Sequence, residues 1–109
     1  MNNEAILKTA DVLDELPEGY DVFNMGTYMH SCGTPACIAG YAVAVNDEEA
    51  YERCRNGVSD VHQTAKRIFG LDIQTSGALF VPGGLKPYGA TAKEAAKVLR
   101  NFVATGVVS

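Results

Sequence analysis

The stretch PACIAGYAVAV, residues 35–45, is the most apolar in the chain, and its conformation decides the fold. Two readings compete. The tail YAVAV alone suits a buried strand. The head suits a helix, because Thr34 is a good N-cap and Pro35 is preset for a first helical position. Ala36, Ala39, Gly40 and Ala44 are small and permit close helix–helix approach. A helix here is apolar on every side, which predicts the central, buried helix of the fold.

Working towards the N-terminus, residues 17–34 (PEGYDVFNMGTYMHSCGT) lack a clean period. Gly19, Gly26 and Gly33 stand beside Tyr20, Phe23, Met25, Tyr28 and Met29, more aromatic and Met surface than a flexible linker carries. They read as an ordered loop packed on the core. Residues 3–16 carry Ile6, Leu7, Ala10, Leu13 and Leu16 at helical spacing, with Asn2 or Asn3 as the cap and Pro17 as the stop. Asp11, Asp14 and Glu15 fall at the C-terminal end of that helix, the unfavourable end for negative charge. That placement is either tolerated or a sign that a cation or partner lies beside them.

Working towards the C-terminus, residues 46–57 open on Asn46-Asp47 with an acidic first turn and end on Arg53, Arg55 and Gly57, the charge order of a short helix. Ser59 is expected to cap a helix over 60–69, with Val61, Ala65, Ile68 and Phe69 as its apolar face and Gly70 as its stop. Residues 73–80 suggest a further short helix, and residues 81–89 (VPGGLKPYG) a loop whose Tyr88 suits a binding lip or subunit contact. Thr91-Ala-Lys-Glu94 is a capping box that opens a last helix. Its buried stripe is Ala92, Ala95, Ala96, Leu99, Phe102 and Val103, and Gly106 ends it. The expectation is an all-α fold, a single compact domain over residues 1–109 with about five or six short helices around the buried 35–45 helix.

Composition agrees. The 109 residues weigh 11.6 kDa, 47% apolar and 20% charged, the profile of one globular domain with a real core. No apolar run approaches membrane-spanning length, and residues 1–16 lack the basic and apolar regions of a secretory signal, so a cytoplasmic protein with no membrane partner is expected. The net charge of −4 conceals a split. Residues 1–52 hold ten acids against one Lys, a net −9, and residues 53–109 hold eight bases against three acids, a net +5. That split argues against generic nucleic-acid binding. It allows a local anion site or homo-oligomer formation head to tail, while charge pairing within one chain is its plainest explanation.

The chemistry concentrates in His30-Ser-Cys32-Gly33-Thr34-Pro-Ala-Cys37-Ile-Ala-Gly40, where a thiol, an imidazole and a glycine turn meet a helix start. With the helix starting at Pro35, Cys37 falls near N3, where free N–H groups and the helix dipole favour a thiolate or an anion. Four readings stay open. Cys37 and Cys32 are small apolar packing residues. Cys37 or Cys32 is a nucleophile with His30 or His62 as base, though no acid partner is evident. Zinc is held by ligands drawn from His30, Cys32, Cys37, Cys54 and His62, the first three foremost, against a spacing that matches no standard site. Cys32 and Cys37 form a disulfide, which a cytoplasmic setting disfavours.

Asn24-Met25 followed by Cys32-Gly33-Thr34-x-Ala36-Cys37-Ile38-Ala39-Gly40 resembles a family of small uncharacterised proteins from phages and bacteria. Ala65…Phe69-Gly70-Leu71, Leu79-Phe80 and Thr91…Glu94-Ala95-Ala96…Leu99-Arg100-Asn101…Thr105-Gly106 are similar too, so the resemblance spans most of the chain. Members often carry a Trp before the motif and another after the last Gly. Here Tyr28 stands at the first place and Val107-Val108 at the second. The resemblance implies a provenance but no activity.

Lys93, Lys97 and Arg100 share one face of the last helix at i, i+4 and i+7. With Lys66, Arg67, Arg53 or Arg55 nearby they could bind phosphate; the plainer reading is a solvated face opposite the Ala/Leu stripe. No phosphate loop or dinucleotide motif is present, and no cofactor is expected. His62 reads as half-buried and hydrogen-bonded, and Asp47, Glu48, Glu49 and Glu52 as a charged first turn without a calcium pattern. The functional expectation is a small binding protein that takes a protein partner or a small anionic ligand. Its candidate ligand-binding residues are Tyr28, His30, Cys32, Gly33, Thr34, Lys93, Lys97 and Arg100. A cysteine-dependent enzyme and a zinc-stabilised module are the alternatives.

Overall fold

The structure is a computed structural model that describes residues 2–17, Phe23, Pro35, 37–80 and 91–106. Six α-helices and no strand occur among the described residues: α1 (Asn3–Asp14), α2 (Ile38–Asn46), α3 (Glu48–Arg55), α4 (Val61–Phe69), α5 (Ile73–Phe80) and α6 (Ala92–Thr105). The all-α expectation holds, and the strand reading of YAVAV is gone.

Caps explain most boundaries. Asn2 accepts from the Ala5 N–H at 3.1 Å, Asp47 from Ala50 at 3.0 Å, Asp60 from Gln63 at 3.3 Å, Asp72 from Thr75 at 2.7 Å and Thr91 from Glu94 at 3.1 Å. Each satisfies one of the N–H groups that a helix start leaves without an internal partner. One expected cap differs, and the cap-like pair Asn46-Asp47 is resolved to its second member. Asp60, not Ser59, caps α4, because it immediately precedes Val61, the first helical residue. Asn46 closes α2 instead of capping α3, which leaves Asp47 as the cap.

Gly70 stops α4 at φ +68°. Its N–H donates to Arg67 O at 3.2 Å, and the Leu71 N–H donates to Lys66 O at 3.0 Å. These two bonds close a Schellman turn, with Leu71 packed against the core behind it. A Cβ at this φ is strained, so glycine is the residue that fits.

The start of α2 corrects the sequence reading. Thr34 does not cap this helix and Pro35 is not its first residue; Cys37, in extended conformation at φ −111° and ψ −178°, is the N-cap. Proline fixes φ near −65°, a value that helix and extended chain share, so it could not decide where the helix begins. Cys37 therefore stands just ahead of the first turn and not inside it.

Buried residues of all six helices form one cluster. α2 lies at its centre, with Ile38 through Val43 all buried, and packs on α1, α3, α4 and α5. α1 packs most extensively on α6, where Ala92, Ala95, Ala96, Leu99 and Phe102 of the expected stripe are buried and Val103 is partly buried. Phe80 ties α5 to α4, its ring 5.8 Å from that of Phe69 and edge-on to His62 at 5.4 Å. Phe23 is buried and lies 6.3 Å from Tyr41, as its aromatic neighbourhood predicted. The Asn2 N–H donates to Phe69 O at 2.8 Å and fastens the start of α1 to the end of α4. Among the described residues no helix is long and apolar enough to cross a membrane.

Candidate functional site

Of the candidate residues around the motif, only Cys37 is described; Tyr28, His30, Cys32, Gly33 and Thr34 lie outside the described residues. Cys37 is a free thiol. Only 1% of it is exposed. Burial pushes its thiol up from the ordinary 9.0, because the thiolate loses its solvent. The backbone amides of Gly40, Ala39 and Cys37 itself act in the opposite direction but are outweighed. The thiolate-favouring position inferred from an N3 placement is thus corrected: a desolvated N-cap thiol is a poor nucleophile at neutral pH.

Cys54 is also a free, buried thiol, 3.8 Å from the Thr64 hydroxyl. Among the described residues no group of three or more His, Cys, Asp or Glu is placed to hold a metal. His62 is half-buried as expected, and its Nε2 lies 3.2 Å from Ser76 Oγ. That pair resembles a nucleophile with its base, but the Ser76 hydroxyl donates to Ile73 O at 3.0 Å and is 1% exposed. Its proton is committed to the backbone and its oxygen is closed to a substrate.

The basic face of α6 is where sequence and structure meet most directly. Arg100 donates to Asp11 Oδ1 at 2.9 Å and to Asp14 Oδ2 at 3.2 Å. Lys93 Nζ donates to Asp14 O at 2.8 Å and lies 3.8 Å from its carboxylate. These cations answer the acids at the C-terminal end of α1, and Lys93 also takes one of the helix's carbonyls. The guanidinium of Arg100 is held further above its ordinary range by the two carboxylates. The charge split along the sequence is in this part an intramolecular pairing. Lys97 is exposed on the same helix.

The opposite end of α1 is different. Asn2, Glu4, Lys8, Asn46, Asp47 and Arg67 border a groove of about 510 Å³. Its polar wall is braced by a network that sequence reasoning missed. Asn46 Nδ2 donates to Thr9 Oγ1 at 2.9 Å and Ala42 O at 2.8 Å, while the fully buried Thr9 hydroxyl donates to Ala5 O at 2.8 Å. One hint was available: Thr9 and Asn46 interrupt apolar helix faces at positions where a polar side chain needs a partner. Nothing in the spacing says that they partner each other. The chain matches no family model, no curated protein and no solved structure.

Proposed function

We propose that the protein is a small cytoplasmic binding protein, of phage-related provenance, that engages a protein partner or a small anionic ligand. Its contact surface on this reading includes Tyr28, His30, Cys32, Gly33 and Thr34, with Lys93, Lys97 and Arg100 as the basic contribution. The observation that supports binding over catalysis is the state of Cys37: buried, desolvated, with its pKa raised. The cysteine best placed for chemistry by sequence is thereby poorly suited to it. The ion pairs of Lys93 and Arg100 lie at an exposed surface, where an incoming phosphate or carboxylate competes with Asp11 and Asp14 for them.

Calorimetry of the full chain against a nucleotide panel tests the ligand arm. Saturable heat that is lost in a Lys93→Gln/Lys97→Gln variant supports it. No heat with any nucleotide, from a folded chain, removes it and leaves the protein-partner arm. Alkylation by iodoacetamide tests the rejection of thiol chemistry. Cys37 should react more slowly than an unperturbed thiol, and rapid reaction near neutral pH would overturn the reading.

A further inference from the structure

The groove at the start of α1 is bordered by charges that close no ion pair with one another or with other described residues. Lys8 on α1 and Arg67 at the end of α4 form no ion pair among the described residues, and neither do Glu4 or Asp47. Lys93 and Arg100, by contrast, are taken up by carboxylates of the same chain. Asn46 adds an acceptor. Its Nδ2 is committed to Thr9 and Ala42, which fixes the amide, and among the described residues no donor reaches its Oδ1. The groove thus offers two cationic donors, Lys8 and Arg67. It also offers an acceptor group of Asn46 Oδ1 and the carboxylates of Asp47 and Glu4.

A simple anion meets two carboxylates here, and a simple cation meets a guanidinium and an ammonium. A molecule that carries both charges matches both sets. We propose that the groove binds a small zwitterion bearing one ammonium and one carboxylate, of amino-acid or dipeptide size. The groove, of about 510 Å³, has room for such a molecule. The ligand carboxylate pairs with Arg67, whose planar fork suits it, and with Lys8. The ligand ammonium donates to Asn46 Oδ1 and Asp47. This groove shares no residue with the surface proposed above, so the proposal goes beyond that binding reading and stands apart from it.

The test is a ¹⁵N–¹H NMR titration of the full chain with four probes: L-alanine, L-alanyl-L-alanine, acetate and methylammonium. The expected result is saturable shifts of the Asn46 side-chain amide and the Lys8 and Arg67 backbone amides with a zwitterion. L-alanine and the dipeptide distinguish a free amino acid from a peptide as the source. Arg67→Gln should weaken that binding at least about tenfold, with an unchanged urea midpoint showing that the fold is intact. Equal binding of acetate would overturn the proposal in favour of an anion site. No saturable shift from any probe, with a well-dispersed spectrum, would also overturn it. Neither failure touches the nucleotide or protein-partner arms, which have their own test.

Discussion

The two ends of α1 carry similar charges and treat them differently. At the C-terminal end Asp11 and Asp14 are matched by Arg100 and Lys93 across the α1–α6 seam. At the N-terminal end Glu4 and Lys8 share the border of a groove with Asp47 and Arg67, and none of the four closes an ion pair among the described residues. Composition does not predict this difference. The seam closes because α6 lies directly on α1 over an apolar stripe, which brings the charges on both borders within reach. At the groove α4 packs on α1 far less extensively than α6 does, and the Asn2–Phe69 backbone bond fastens the start of one to the end of the other.

The comparison can be broken hardest from beneath. Leu99 is fully buried in the α6 stripe, and Leu99→Ala should cost about 2–5 kcal/mol in urea unfolding. A loss well below that would mean that the seam is held by its charges. Next in size is the groove wall. Asn46→Ala removes the donor to the Thr9 hydroxyl and should cost about 1–3 kcal/mol. An unchanged stability would show that this network is ornamental.

A third effect is read in pH. The Cys37 thiol, and the Tyr41 hydroxyl, are both pushed up by burial from ordinary values of 9.0 and 10.0. Each holds its proton more tightly folded than unfolded, so the stability it contributes is complete below those values and lost as pH rises above them. Unfolding midpoints should therefore fall from about pH 9 upward, and Cys37→Ala should flatten the first part of that fall. The smallest effect sharpens the comparison itself. Arg100→Gln strips two carboxylates of their partner and should lower the thermal midpoint slightly, less so in high salt. Lys8→Gln at the groove should leave it unchanged in either salt. Equal losses would erase the distinction between the two ends.

Most of the fold was legible because its signals are local. Apolar spacing placed α1, α4 and α6, and the capping box at Thr91 and the stop at Gly70 fell where local backbone chemistry puts them. The start of α2 was not legible. Thr34-Pro35 is compatible in sequence with both a helix and an extended lead-in, so local signals do not choose between them. The site followed the same rule. That acids at the end of α1 want a cation could be read from the helix dipole. That the cation is Arg100, far along the chain, could not. The groove needed residues from α1, α2 and α4 together, and no periodicity relates them.

The α1–α6 seam also governs when the protein can become a protein. Asp11 and Arg100 meet across 89 positions of chain, so the first helix is covered by the last. A nascent chain that has emerged only as far as α5 shows one apolar flank of α1 to the surrounding solution, open to aggregation or to a chaperone. Helical contacts elsewhere form early, but this one waits for loop closure across most of the sequence. A fragment ending before residue 91 should therefore stay a collapsed, loosely packed chain, and adding residues 91–106 as a separate peptide should restore cooperative unfolding.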